Sequence, residues 1–241
     1  MLCSILTLFP EAIRPYLDES ILGNAQKIGQ VRFHLVNFRD YAQGRHRSVD
    51  DRPFGGGPGM VLAPEPIFEA VEDIERQFGS QHRVLLTPRG RRLDQSVARE
   101  LTQHEHILFC CGRYEGFDER IRCGLDWDEI SIGDFVLSGG ELGALTIIEA
   151  VVRLLPGVLG HEESAERDSF TEPGLFDHPH YTRPRVFRGM EVPDVLLSGD
   201  HGAVATWRRQ QQTKLSQRTE TGPPTKREPP TSEPQTSEPQ T

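Results

Sequence analysis

The chain predicts an α/β fold built on a mainly parallel sheet, and three observations carry that expectation. Strand-like and helix-like runs alternate through the first 155 residues. Three loops bearing glycine each follow a strand-like run, as ligand loops do in open parallel sheets. The alternation stops at Pro156, where the composition turns polar.

Taken in order, residues 2–9 are short and mostly apolar and read as a first buried strand. Pro10-Glu11-Ala12 then starts a helix, because proline suits the first helical position. Residues 31–37 read as extended. Over residues 64–78, Ile67, Val71, Ile74 and Phe78 recur at helical spacing, and Gly79 ends the helix. Residues 83–87 predict a strand, Asp94 caps a helix through about Gln103, and residues 106–111 predict another strand. Within that strand the adjacent Cys110 and Cys111 should point to opposite faces. Residues 130–132 and 135–137 flank a Gly-Asp turn, and residues 142–155 form the most apolar helix.

Residues 161–172 are polar, charged and short of apolar anchors, so they read as an interdomain linker able to order on binding. Residues 173–215 contain Phe176, Tyr181, Val186, Phe187, Val195, Leu196, Leu197 and Trp207, enough for a small second domain after a first of residues 1–160. Residues 216–241 contain six prolines and nothing apolar, so they read as a disordered tail.

With 36% apolar and 26% charged residues in 241, the chain is neither a disulfide miniprotein, a collagen-like rod nor a fully disordered polymer. Cys3, Cys110, Cys111 and Cys123 form no C-x-x-C pair and no zinc spacing, which points to a reduced, cytosolic protein. The longest apolar stretch, residues 143–155, is broken by Glu149 and Arg153 and falls short of the roughly 18 clean residues a membrane span needs. The opening run lacks a basic leader and a small-residue cleavage site, so no targeting signal is expected.

The net charge of −9 argues against nucleic acid, but its distribution does not. Residues 178–218 carry +4 and the remainder −13, and only Lys27, Lys214 and Lys226 among 27 basic residues are lysines. Arginine suits phosphates and base edges. A basic segment on an acidic body fits either a polyanion partner or an ordinary solvated face.

The three loops are Thr87-Pro88-Arg89-Gly90, Gly112-Arg113-Tyr114-Glu115-Gly116, and Gly133 with Ser138-Gly139-Gly140-Glu141. Glycine there lets backbone approach a ligand and exposes N–H groups, although each loop alone fits ordinary turn chemistry. A P-loop pattern is absent, and Gly55-Gly56-Gly57-Pro58-Gly59 does not match G-x-G-x-x-G. Backbone contacts to an adenine-like ring suit the loops better than a phosphate cradle.

Long motifs in chain order resemble the bacterial tRNA (guanine37-N1)-methyltransferases. They are residues 52–60 (RPFGGGPGM), 112–120 (GRYEGFDER), 131–141 (SIGDFVLSGGE), 157–160, 168–170 (DSF), 178–184 (HPHYTRP) and 195–201, and the match runs to about residue 212. That resemblance implies a trefoil-knotted domain of the SPOUT type, a flexible linker, a small helical tRNA-binding domain and a homodimer. It implies that the substrate is tRNA rather than DNA, that no membrane is involved, that S-adenosylmethionine is the cofactor, and that Mg2+ is required. No metal ligand set is visible in the sequence, though Glu115 could serve cofactor or metal.

By the same resemblance, Leu86, Thr87, Pro88, Gly112, Arg113, Tyr114, Glu115, Gly116, Ser131, Ile132, Gly133, Leu137, Gly139 and Gly140 hold the cofactor. Asp168 would be the base and Arg153 the stabiliser of charge on the base's O6, with the linker serving the active site across the dimer interface. Methyl transfer to N1 of guanine requires that the N1 proton leave, hence a carboxylate, while a guanidinium suits the negative charge that builds on O6. Taken by themselves, Arg153 could pair with Glu149 four residues earlier, and Asp168 could be a solvated linker residue. His180, Tyr181 and Arg183 suit unpaired bases or phosphates of an anticodon loop, or else a packed turn around Pro179 and Pro184. A knotted methyltransferase acting on another base or on ribose is the alternative enzyme, and a non-catalytic RNA-binding protein the alternative class. The chain departs from the family at Gly143, where the family has proline, and beyond Lys214, where a basic terminal helix is replaced by the Pro/Ser/Glu tail.

Overall fold

A computed structural model describes residues 1–160 and 168–220, with side chains through Gln217. The chain divides into two compact units, Met1–Ala165 and Glu166–Thr241.

The first unit is built on five strands: β1 Leu2–Thr7, β2 Arg32–Asn37, β5 His82–Arg92, β6 His106–Cys110 and β7 Asp128–Ser131, in the order β2-β1-β6-β5-β7. Every pairing is parallel. Two short strands, β3 Asp50–Asp51 and β4 Val61–Leu62, form a separate antiparallel ribbon that the sequence did not announce.

Side-chain alternation divides the core in two. Cys3, Ile5, Val84, Ile107, Phe109, Cys111 and Ile130 face one side, where they meet helices α1 Pro10–Leu17, α2 Ser20–Lys27, α4 Gln95–Leu101 and α6 Glu141–Val152. Leu6, Leu85, Leu108 and Cys110 face the other, against α3 Pro64–Phe78 and α5 Glu119–Gly124. Cys110 and Cys111 therefore enter opposite cores, as their adjacency in an extended run implied. All five residues of β6 are buried, which is why it reads as a continuous apolar run rather than an alternating one.

Local signals place the helices well. Asp94 accepts from the N–H groups of Ser96 and Val97 at the start of α4, and α3 presents Ile67, Val71 and Ile74 to the core before stopping at Gly79. Three expectations shift. Helix α6 ends at Val152, so Arg153 caps it rather than lying on it. Residues 135–137 are not a strand. And β5 does not end at Thr87: Leu86 and Arg91 both pair with Ile130, so Thr87-Pro88-Arg89-Gly90 is an excursion thrown out of a continuing strand.

In the second unit, β8 Val186–Phe187 and β9 Met190–Glu191 form a small hairpin, and α7 runs His201–Glu220. The helix passes Leu215, where the tail was expected to begin. Residues 168–172 form turns, while 161–167 and 221–241, the remaining linker and tail expectations, lie outside the described residues. Among the described residues no helix is long and apolar enough to cross a membrane.

Candidate active site

The sheet order brings β6, β5 and β7 side by side, so the three glycine loops leave the same edge of the sheet. The first is the excursion from β5. Gly90 returns it to the ladder, and a Cβ there would lie 2.4 Å from the Glu129 carbonyl carbon and the Ile130 nitrogen, so only glycine lets the two backbones close.

The second loop continues from β6. Its Glu115 N–H donates to Met60 O at 2.9 Å, Leu62 N–H donates to Gly116 O at 2.9 Å, and Asp118 N–H donates to Leu62 O at 3.0 Å. The second loop is thus hydrogen-bonded to the segment just after the glycine-rich run, which does not line the cavity between the three loops. On its other side Gly140 N–H donates to Gly112 O at 2.9 Å, and Arg113 bridges to Gly139. A Cβ at Gly140 would lie 2.8 Å from the Cys111 Cα, which fixes glycine at that contact as well. In the third loop the buried Ser131 hydroxyl accepts from Gly133 N–H at 3.3 Å and shapes the turn after β7.

Between the loops lies a cavity of about 460 Å3. That size suits a cofactor or drug-sized ligand, for which pockets of roughly 300–1,000 Å3 are usual. Leu86, Thr87 and Pro88 line it from β5; Gly112, Arg113, Tyr114, Glu115 and Gly116 from the second loop; Ser131, Ile132, Gly133, Leu137, Gly139 and Gly140 from the third. All fourteen positions named from the sequence share this one cavity. Phe117, Phe135, Val136, Ser138 and Gly143, which were not among the cofactor positions named from the sequence, also line it.

A partly buried charge pair holds the loops in place. Glu141, at the start of α6 and 4% exposed, accepts from Thr7 Oγ1 at 2.7 Å and lies 3.0 Å from the Arg113 guanidinium. The same guanidinium donates to Ser138 O at 3.3 Å and sits 4.5 Å from the ring centre of Phe9. Arg113 therefore lines the cavity while its charge ties the end of β1, the third loop and α6 together. A lone acidic residue opening an apolar helix was the available signal for this pair. Burial raises the Cys110 and Cys111 thiols, with the Glu141 charge adding to the effect.

Arg153 and Asp168 do not line the cavity. Arg153 is partly buried at the end of α6, and the Glu149 carboxylate expected beside it accepts from Tyr16 Oη at 2.8 Å. Asp168 is partly buried at the head of the described part of the second unit. Its neighbour Ser169 accepts from Asp177 N–H at 3.0 Å, and Phe176 N–H donates to Ser216 Oγ at 3.0 Å, tying this segment to α7. The ring centres of Tyr181 and Trp207 are 6.3 Å apart, and Tyr181, His180 and Arg183 are exposed. Burial would raise the Asp177 carboxyl, but hydrogen bonds from His180 and the His178 N–H, with the charges of both rings, hold it below its ordinary value. Among the described residues, Glu115 belongs to no group of three or more Asp, Glu, His or Cys side chains close enough to share an ion.

Comparison with known proteins gives a consistent result. A family model described as tRNA (Guanine-1)-methyltransferase TrmD matches residues 1–222. The chain is 56% identical over 214 residues to a tRNA (guanine-N(1)-)-methyltransferase of Anoxybacillus flavithermus, covering 88% of this chain and 86% of that one. Proteins of the same name from Dehalococcoides mccartyi and Bacillus licheniformis are each 55% identical over 212 residues, covering 88% of this chain and 85% and 87% of theirs.

Proposed function

We propose a function from one premise: this chain belongs to the tRNA (guanine-1)-methyltransferase family. Its reaction is methyl transfer to N1 of a guanine in tRNA. The finer reading is that the donor is S-adenosylmethionine, that the acceptor is guanosine 37 beside the anticodon, and that two copies of the chain work as a homodimer in the cytoplasm around a trefoil-knotted, SPOUT-type domain.

The observation that supports the cofactor most directly is the cavity itself. Its fourteen named residues come from three loops at one sheet edge, include five glycines that have only backbone to offer, and include the apolar Leu86, Ile132 and Leu137. That suits a neutral adenine ring and a short sulfonium chain better than a polyphosphate. When bound, the cofactor supplies an electrophilic methyl.

The chain's own residues then do three things. The Gly112–Gly116 and Ser138–Gly140 backbones orient the ligand, and the internal Arg113–Glu141 pair keeps those loops fixed. The Asp168 carboxylate takes the N1 proton as the new N1–carbon bond forms and the sulfur–carbon bond breaks. The Arg153 guanidinium offsets negative charge on O6. Asp168 on the linker side couples tRNA engagement to assembly of the site, and His180, Tyr181 and Arg183 hold unpaired bases or phosphates.

The deciding experiment uses labelled cofactor with a tRNA transcript carrying G at 36 and 37, beside one with G37 replaced. Label should enter only the first, and equal labelling would overturn the position. Asp168→Asn should lower kcat by roughly 10²–10⁴-fold with cofactor binding retained. Near-full turnover in that variant would point instead to a ribose acceptor.

A further inference from the structure

A side-chain cluster in the second unit takes no part in the chemical step of methyl transfer, although its outermost member, His180, belongs to the proposed tRNA-holding surface. Asp177, His178 and His180 each offer one ligand atom, and the three atoms lie within 4.8 Å of one another. His180 Nε2 is 2.8 Å from Asp177 Oδ2, and His178 Nε2 is 3.8 Å from Asp177 Oδ1.

The His178 tautomer gives the cluster a direction. Its Nδ1 lies 3.2 Å from Pro179 O, and because a carbonyl oxygen only accepts, Nδ1 carries the proton. In the neutral ring Nε2 is then a lone pair facing a carboxylate oxygen. That lone pair, turned toward the carboxylate, can take a cation, whether a second proton or a metal ion. An imidazole whose far nitrogen donates to a backbone carbonyl is also the arrangement that orients a metal-binding histidine.

The frame around the three residues is firm. Pro179 separates the two histidines with a fixed φ. Asp177 is held through its N–H to Ser169 Oγ and through Oδ1, which accepts from the His178 N–H at 2.7 Å. The two imidazole centres are 4.4 Å apart, and Trp207 lies behind His178 at 6.4 Å. His178 and Asp177 are 13% and 23% exposed at the side chain, whereas His180 at 71% leaves an entry path.

We propose that Asp177, His178 and His180 form a binding site for a divalent transition-metal ion of the zinc type, completed by water. Two imidazole nitrogens and one carboxylate oxygen suit Zn2+, Co2+ or Ni2+ and not Mg2+, which takes oxygen ligands. At ligand distances of about 2.0–2.2 Å the ion would part His180 Nε2 from Asp177 Oδ2, now 2.8 Å apart, and sit among the three ligand atoms. The ion would replace the direct His180–Asp177 hydrogen bond and pin the turn that carries Tyr181 and Arg183.

The test uses the untagged full-length protein, stripped with chelator and titrated with Co2+ alone. One equivalent should bind with a visible absorption band, and excess Mg2+ should not displace it. His178→Gln and Asp177→Asn should each weaken that binding at least about tenfold while the metal-free melting temperature stays at the wild-type value. Equal binding in wild type and both variants, or none in wild type at millimolar Co2+, overturns the site. If either variant does not fold, X-ray absorption of the zinc-loaded wild type decides: two nitrogen ligands support the site and an all-oxygen shell overturns it.

Discussion

Arg113 and Glu141 show how much of the site rests on one partly buried pair. Removing Glu141 as Glu141→Ala would leave the guanidinium and Thr7 Oγ1 without their shared acceptor. Leaving such partly buried donors without their acceptor costs about 1–3 kcal/mol, so the variant should melt below wild type and lose cofactor affinity with it. A variant with unchanged melting would show the pair to be incidental. Gly140→Val should act differently, because its Cβ would meet the Cys111 backbone. Ligand binding, followed by calorimetry with S-adenosylmethionine, should fall much more than it does in Thr87→Ala, whose Oγ1 only accepts from Arg89 N–H at 3.4 Å. The cysteines separate as sharply. Burial pushes the Cys3 thiol up to about 12 and raises Cys110 and Cys111 as well, while Cys123 is exposed. A thiol reagent should therefore modify one cysteine quickly in the native protein and four after denaturation, as mass spectrometry would count.

At the scale of elements, α6 and the first strands carry the testable consequences. Gly143 sits in the first turn of α6, where a Cβ would meet Leu86 Cδ1 at 3.1 Å, the movable end of a side chain. Gly143→Ala should raise stability by up to about 1 kcal/mol through helix propensity, visible as a higher melting temperature. A fall would mean that Leu86 cannot give way. Near β1 and β6, burial lowers the imidazoles of His34 and His106, with the Arg32 charge adding to it; at His104 burial acts first and the His82 charge second. Groups held neutral in the folded state take up protons on unfolding, so their stabilisation is full above about pH 6.5 and declines as pH falls below it. Melting temperature should drop between pH 7 and pH 5, and the double variant His34→Gln, His106→Gln should flatten that slope. Element signals such as the Asp94 cap, the α3 periodicity and the Gly79 stop were legible because each depends on a few neighbouring residues. The β5 excursion was not, since it exists only because Leu86 and Arg91 find the same partner on β7.

The whole molecule divides into two units, and the composition of residues 221–241 offers nothing apolar to either. Deletion from Thr221 onward should leave the melting temperature unchanged, whereas ending the chain at Leu215 removes Ser216, whose Oγ accepts from Phe176 N–H, and should destabilise the second unit. Phe9, Val136 and Leu142 are large, apolar and exposed on the first unit, Val136 at 89%. Light scattering at micromolar concentration should give the mass of a dimer, and a monomer would remove the basis for a shared site.

By itself the sequence determined the α/β class, most of its elements and, through ordered motifs, the family and the fourteen cavity positions, because period, caps and glycine loops are written in short stretches of chain. Only the tertiary structure decided that β6, β5 and β7 stand together, that Arg113 turns its charge inward to Glu141, and that Thr7 reaches the same carboxylate. Those facts depend on residues brought within a few ångströms by folding, and separation along the chain carries no record of that distance.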